Sequence, residues 1–161
     1  MNAAGLVDAS LAAEAVALAA PTLAALLARP GVSGEQVLHI VVLDPCAPGE
    51  ADGPRVLHEH SIGDPAAWGA DYAGFARAKA ALAWRLQRDS QTVQDDAPHL
   101  LARGDTLLGG GVVRKGLVIG VSGAHPWFDA ACGAIVAELI IALAQQRARD
   151  LRAAGALSVD R

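Results

Sequence analysis

Apolar and polar positions change period several times along the chain, and each change marks an element. Leu11 to Ala28 is apolar with few breaks, opened by Ser10 as a helix N-cap and closed by Arg29-Pro30-Gly31, which predicts a first helix. Pro21 lies inside this run and is expected to kink or divide it, because proline lacks the N–H a helix interior uses. Gln36 to Asp44 is β-branched, apolar on both faces and bounded by turn residues, the pattern of a central strand covered on both sides. A loop rich in Pro, Gly and acidic residues follows over 45–54. Arg55 to Ile62 then alternates and is more polar, as suits an edge strand.

Helical spacing returns after Gly63-Asp64-Pro65. Trp68, Tyr72, Phe75, Lys79, Leu82 and Leu86 recur at separations of three, four and seven, and Asp89-Ser90 ends the pattern. Residues 91–103, with Pro98, read as a short helical or turn segment. Thr106 to Gly123 reads as three short strands, two of them joined by a tight Arg114-Lys115-Gly116 turn. A last helix is predicted from Pro126, with proline at its first position, to about Arg152. Residues 153–161 read as a frayed tail. With no repeat or linker, this order predicts one α+β domain over 1–161, its core about 8–152. Hairpin-like links imply an antiparallel sheet, and the doubly apolar strand implies helices on both of its faces.

Composition adds an expectation of self-association. Hydrophobic residues make up 53% of the 161, much of the excess alanine, and the mean hydropathy is +0.32. Close helix packing through small side chains and burial between subunits both account for this, so a homo-oligomer is expected. The net charge of −4 and the 4% aromatic content argue against a nucleic-acid partner. Cys46 and Cys132 form no metal-binding spacing and read as free thiols of a reducing compartment. No Lys or Arg precedes Arg29, so the basic start of an export signal is missing. The apolar run Ala130–Ala144 holds Glu138 and is shorter than the ~18–20 residues a bilayer needs. The expectation is a cytoplasmic protein with no membrane partner.

Several groups offer chemistry. Ser122-Gly123-Ala124-His125 precedes a helix N-terminus, where unpaired N–H groups could receive a carboxylate or phosphate, or where glycine simply permits a tight turn. Lys79 lies on the stripe of Tyr72, Phe75 and Leu82, so it must snorkel, pair with an acid or meet an anionic ligand. His58 and His60 share a strand face but have no third ligand near them in sequence, and His39 reads as a hydrogen-bonded core histidine. Glu14 and Glu138 are lone acids in apolar helices: raised-pKa groups, wet helix edges or salt-bridge partners. Gly120-Val-Ser-Gly-Ala124 approximates a nucleophile elbow but ends in alanine, and no histidine follows His125. The triple glycine at 109–111 lacks the Lys-Ser/Thr ending of a phosphate loop.

Together these motifs carry a resemblance. Ala76-Arg77-Ala78-Lys79-Ala80, Leu108-Gly-Gly-Gly, Gly116, Ile119-Gly-Val-Ser-Gly123 with Asp129 six residues on, and Asp44 at a strand end resemble the signature of the GlcG/HbpS-like family. The likeness covers roughly residues 8–145. It implies a profilin-like three-layer α/β/α fold with a five-stranded antiparallel sheet, oligomeric assembly and, in some members, heme binding. The chain departs from the family pattern at Leu82, at Trp127-Phe128, and in having no histidine in its first helix, where some heme-binding members carry one. The ligand-binding residues expected are Lys79, Gly110, Gly111, Ser122, Gly123 and His125, with no metal site and no assigned catalytic residue. The function expected is binding of a small anionic or heme-like ligand. The alternatives are a catabolic isomerase or tautomerase using Lys79 or His125 for proton transfer, and an accessory protein of a catabolic pathway. On this reading, Lys79→Met preserves stability and weakens anion binding.

Overall fold

A computed structural model describes residues 5–47 and 53–159. The elements run in the order α1 (Ala9–Leu27), β1 (Leu38–Leu43), β2 (Val56–Ile62), α2 (Tyr72–Leu86), α3 (Ser90–Asp96), β3 (Gly111–Arg114), β4 (Leu117–Ser122) and α4 (Pro126–Ala153). Short 3₁₀ turns at Pro65–Ala67 and Pro98–Leu100 connect them. Among the described residues the strands form one antiparallel sheet in the order β2-β1-β4-β3.

Strand parity sorts the side chains into two layers. Leu38, Ile40 and Val42 of β1, with Ile119 and Val121 of β4, point at α1 and α4 and share a core with Leu11, Leu23, Val136 and Ile140. Val41, Leu43 and Val118 point at Ala76, Ala80 and Ala83 of α2. Every residue of β1 is buried, as its doubly apolar pattern predicts, every residue of β4 is buried too, and β2 lies at the sheet edge with only half-buried or exposed residues. The three layers and the α+β class are as expected.

Among the described residues four strands form where five were expected. The β3–β4 turn is a two-residue hairpin with Lys115 and Gly116 both at positive φ, the geometry that suits the strand twist. The segment before β3 adds no strand, its bonding to β4 ending where Gly110 O accepts the Val121 N–H at 3.0 Å. Gly110 sits at φ 123, which turns the backbone out of the ladder. The outer edge of β3 is instead satisfied by side chains: Gly111 N–H donates to Ser90 Oγ (2.9 Å) and Val113 N–H donates to Asp89 Oδ1 (2.8 Å). Asp89 also pairs with Arg114, so the start of α3 occupies the place of a fifth strand.

Helix boundaries moved by small amounts. Asp8 rather than Ser10 caps α1, its Oδ1 accepting the Leu11 N–H at 2.8 Å. The helix runs through Pro21 undivided. Helix α2 begins only at Tyr72, capped by Asp71, because the 3₁₀ turn at Pro65–Ala67 leaves Trp68 outside it. Helix α4 matches its expected span with Pro126 first, and Ala156–Val159 beyond it are not helical. Residues 160–161 of the predicted tail lie outside the described residues. Glu14 and Glu138 are exposed on their helices, Cys132 is a buried thiol pushed up to about 12 by burial, and Cys46 is free and exposed. Helices α1 and α4 are long and apolar enough to cross a membrane, yet both pack their apolar faces against the sheet and each other.

Glycine sets the spacing between α2 and the sheet. A Cβ on Gly120 would sit 2.1 Å from the Ala76 carbonyl oxygen, and one on Gly111 would sit 2.2 Å from the Lys79 carbonyl oxygen. Both strands therefore touch helix backbone directly, across from the small side chains Ala76, Ala80 and Ala83. We predict that Gly120→Ala lowers the unfolding free energy by roughly 1–3 kcal/mol through overpacking. Gly34→Ala, with nothing within 4 Å of its Cβ position, should change it by less than about 0.5 kcal/mol. Urea denaturation of the two variants checks this contrast.

Candidate functional site

The close approach of α2 carries Lys79 to the end of β4. Its Nζ donates to Val121 O (2.9 Å), Ser122 Oγ (3.1 Å) and Asp129 Oδ2 (2.8 Å), which uses all three ammonium hydrogens. The Lys79 side chain is 3% exposed and that of Asp129 is 1% exposed. Asp129 projects from the first turn of α4, so its position follows from the helix starting at Pro126. Its Oδ1 accepts the Ala124 N–H at 2.9 Å, and the nearby Gly123 N–H also favours the charged carboxylate.

The anion that the Ser122–His125 turn was expected to receive is thus the chain's own Asp129. The same carboxylate satisfies Lys79. Of the three outcomes open to a lysine on a buried stripe, the structure shows pairing with an acid. Burial dominates both groups. It pushes the Asp129 carboxyl up to about 6 although Lys79 and the two N–H groups pull it down, and it lowers the Lys79 amine although Asp129 supports its charge.

The pair forms the floor of a cavity of about 320 Å³, at the small end of the range for ligand pockets. Tyr72, Phe75 and Lys79 line it from α2, Leu108 and Pro126 line it as well, and Ser33 with the exposed Gly34 forms the rim beside the buried Val32. Four of the six expected residues meet here: Lys79, Ser122, Gly123 and His125. Gly110 and Gly111 do not line the cavity. They lie behind the pair, where a Cβ on Gly110 would sit 2.8 Å from the Asp129 Cβ and 3.1 Å from Lys79 Nζ. Their smallness lets the pair form.

His125 is exposed at the mouth and stacks on Trp127, ring centroids 5.0 Å apart and planes 7° from parallel. Ser33 Oγ donates to Gly123 O (2.7 Å) and accepts the Gln36 N–H (3.0 Å), which fixes the rim loop to the turn. Burial, together with the nearby Glu35 carboxylate, raises the pKa of the Tyr72 hydroxyl. Sequence reasoning left Asp129, Tyr72, Phe75 and the rim loop off the candidate site. A signal for Asp129 was present, since a buried lysine requires an acid and Asp129 was already part of the motif.

The other candidates lie elsewhere. His39 is buried on the α2 side of β1, its Nδ1 2.9 Å from Ser61 Oγ and its Nε2 3.5 Å from Glu59, which Arg77 grips with two hydrogen bonds. His58 and His60 share a face of β2 with ring centroids 6.3 Å apart. No group of three or more metal-ligating side chains occurs among the described residues. Asp44 holds the loop after β1, accepting the Cys46 N–H and pairing with Arg55. His125 is the one histidine among the residues that line this cavity.

Removing one partner of the pair leaves a buried uncompensated charge. Lys79→Met is therefore expected to cost roughly 3–5 kcal/mol of stability, in place of the unchanged stability expected from the sequence. Lys79→Met combined with Asp129→Leu should recover most of it. The pH dependence has a definite sign. The folded Asp129 value of about 6 lies above the ordinary 3.8, so its contribution is whole below the ordinary value and lost as pH rises through about 6. The double variant should gain stability relative to the natural protein between those limits. Paired denaturation curves across that pH range, with a carbon-detected titration of the Asp129 carboxyl, test both statements.

Comparison with known proteins agrees with this architecture at the level of fold. No family model matches the chain, and no curated protein matches it. The crystal structure of Klebsiella pneumoniae protein ORFY, described as family-model DUF336, superposes with a TM-score of 0.56 at 18% identity, covering 88% of this chain and 97% of that one. DUF336 is the GlcG-like domain, so the likeness supports the fold expected from the motifs.

Proposed function

We propose that this domain binds a small molecule with an apolar or aromatic body in the cavity above the Lys79–Asp129 pair. The observation that carries the proposal is the pairing of apolar walls (Tyr72, Phe75, Leu108 and Pro126) with a buried, titratable floor. That combination is characteristic of ligand sites and rare in plain cores. The ligand's polar end meets a site whose cation is already matched by Asp129. A free anion would have to displace that carboxylate or use His125, so a neutral polar group suits the floor better than the anionic group expected from sequence alone.

A catalytic reading has its own support. Burial moves the two groups toward each other on the pH scale, the carboxyl up and the amine down. That is the usual preparation for proton transfer at neutral pH, and it suits the isomerase or tautomerase alternative.

Plugging the cavity without touching the pair tests the binding proposal. Gly34 is on the rim, at ordinary backbone angles, with nothing within 4 Å of its Cβ position, so Gly34→Phe adds a ring at the mouth without strain. Benzamide, benzoate and benzyl alcohol serve as probes, observed through chemical-shift changes at Tyr72 and Trp127. Neutral probes should bind better than benzoate, and Gly34→Phe should weaken them by roughly tenfold or more. Equal weak shifts in both proteins would refute the site.

We also propose that the domain self-associates. Phe75 (38% exposed), Leu108 (40%) and Trp127 (64%) stand exposed around the mouth, which adds local support to the compositional argument. Sedimentation at micromolar concentration should show a species larger than the 16.4 kDa chain; a clean monomer would overturn this.

A further inference from the structure

The binding proposal leaves unexplained why the floor of the cavity is an amine. A lysine at the bottom of an apolar cavity, held 2.8 Å from a carboxylate and 3.1 Å from a serine hydroxyl, is arranged as a nucleophile with a proton carrier beside it. We propose that Lys79 Nζ forms an imine with a small aldehyde or ketone bound in the cavity, with Asp129 carrying the protons. The inference rests on the cavity being a ligand site.

The chemistry balances within the groups present. Asp129 takes one proton from the Lys79 ammonium, leaving a free amine. The Nζ lone pair attacks the carbonyl carbon, forming the C–N bond while the π pair moves to oxygen. A proton passes from nitrogen to that oxygen and gives a neutral carbinolamine. The Asp129 proton then goes to the hydroxyl, the C–O bond breaks, water leaves and the nitrogen lone pair closes the C=N bond. The product is an iminium beside an Asp129 carboxylate. The site begins and ends with one positive and one negative charge, so no uncompensated charge is created in a buried place.

Three features of the site favour this sequence over simple ion pairing. The amine is fixed by Val121 O and Ser122 Oγ as well as by Asp129, so it does not depend on one contact for its position. Burial of the amine and of the carboxyl shifts their proton affinities in the directions that favour transfer between them. Lys79 lines a cavity whose lining also includes the exposed residues Gly34 and His125, so there is space for a carbonyl to reach the amine and for the released water to leave.

The chain carries its own control, because Lys79 and Lys115 are its two lysines. Lys115 stands exposed in the β3–β4 turn. The full-length protein is treated with benzaldehyde and cyanoborohydride at about pH 6.5, where an ordinary lysine is almost wholly protonated, and digested for peptide mass spectrometry. An imine reduced at Lys79 leaves a benzyl group there. Labelling at Lys79 is expected to outpace that at Lys115 by roughly tenfold or more despite its burial. Gly34→Phe should suppress labelling at Lys79 and leave Lys115 unchanged. Labelling of Lys115 without Lys79 overturns the proposal. So does Lys79 labelling that Gly34→Phe does not reduce, since the reagent then arrives through unfolding. Benzaldehyde-induced shifts at Tyr72 without trapping sink the imine and leave the cavity standing; neither shifts nor trapping sinks both.

Discussion

The buried contact between Lys79 and Asp129 is the interaction on which the arrangement around it depends. It links the middle of α2 to the first turn of α4 across the end of β4, and so ties together elements on opposite faces of the sheet. A lysine reaches that point only if its helix lies against the strands. Gly111 and Gly120 allow this, because their Cβ positions are occupied by backbone oxygens of α2. The alanines of α2 complete the fit from the other side. The small residues of the motif and its one charged residue thus have a single explanation: close packing is what brings the ammonium to its partner.

The same contact governs the electrostatics of the site. Backbone N–H groups at a helix N-terminus, with a lysine nearby, make a ready anion site. Here the anion is built into the chain four positions into α4's lead turn, counted from His125. The turn and the lysine are therefore satisfied before any ligand arrives. An incoming molecule meets a floor that is polar and proton-exchanging but without net charge, between aromatic and aliphatic walls. The proposed preference for neutral polar ends over anions, and the proposed carbonyl partner of the amine, both rest on this balance of charge.

Much of this was legible in the sequence, and the limits of that reading have physical causes. The strand Leu38–Leu43 announced itself because burial on both faces removes polar alternation. Proline at Pro126 fixed the start of α4, and the Lys115-Gly116 hairpin followed from the turn residues. The count of strands failed because the bonding of β3's outer edge is done by the side chains of Asp89 and Ser90, which no periodicity of the backbone segment reveals. In the site, Lys79, Ser122, Gly123 and His125 were found because each is unusual for its local context. Asp129 was passed over because an acid in the first turn of a helix is so ordinary. Its partner lies 50 positions away, a separation only the folded chain closes.

A structural role alone does not account well for the pair. Two buried charges must be stripped of water, and an apolar pair of the same volume often stabilises a fold as well or better. The surrounding core shows that this chain has no shortage of apolar solutions: Ala76 and Ala80, one turn and one residue from Lys79, pack in one apolar cluster with Val118 of β4. At this one place it keeps an ammonium and a carboxylate, orients both with additional hydrogen bonds, and leaves a cavity above them rather than a side chain. Charge retained where hydrophobic packing would serve, and opened to a space of ligand size, is what a site for chemistry or recognition requires. The open volume is what favours the proposed binding role, because a pair kept only to register α2 against α4 would gain nothing from it.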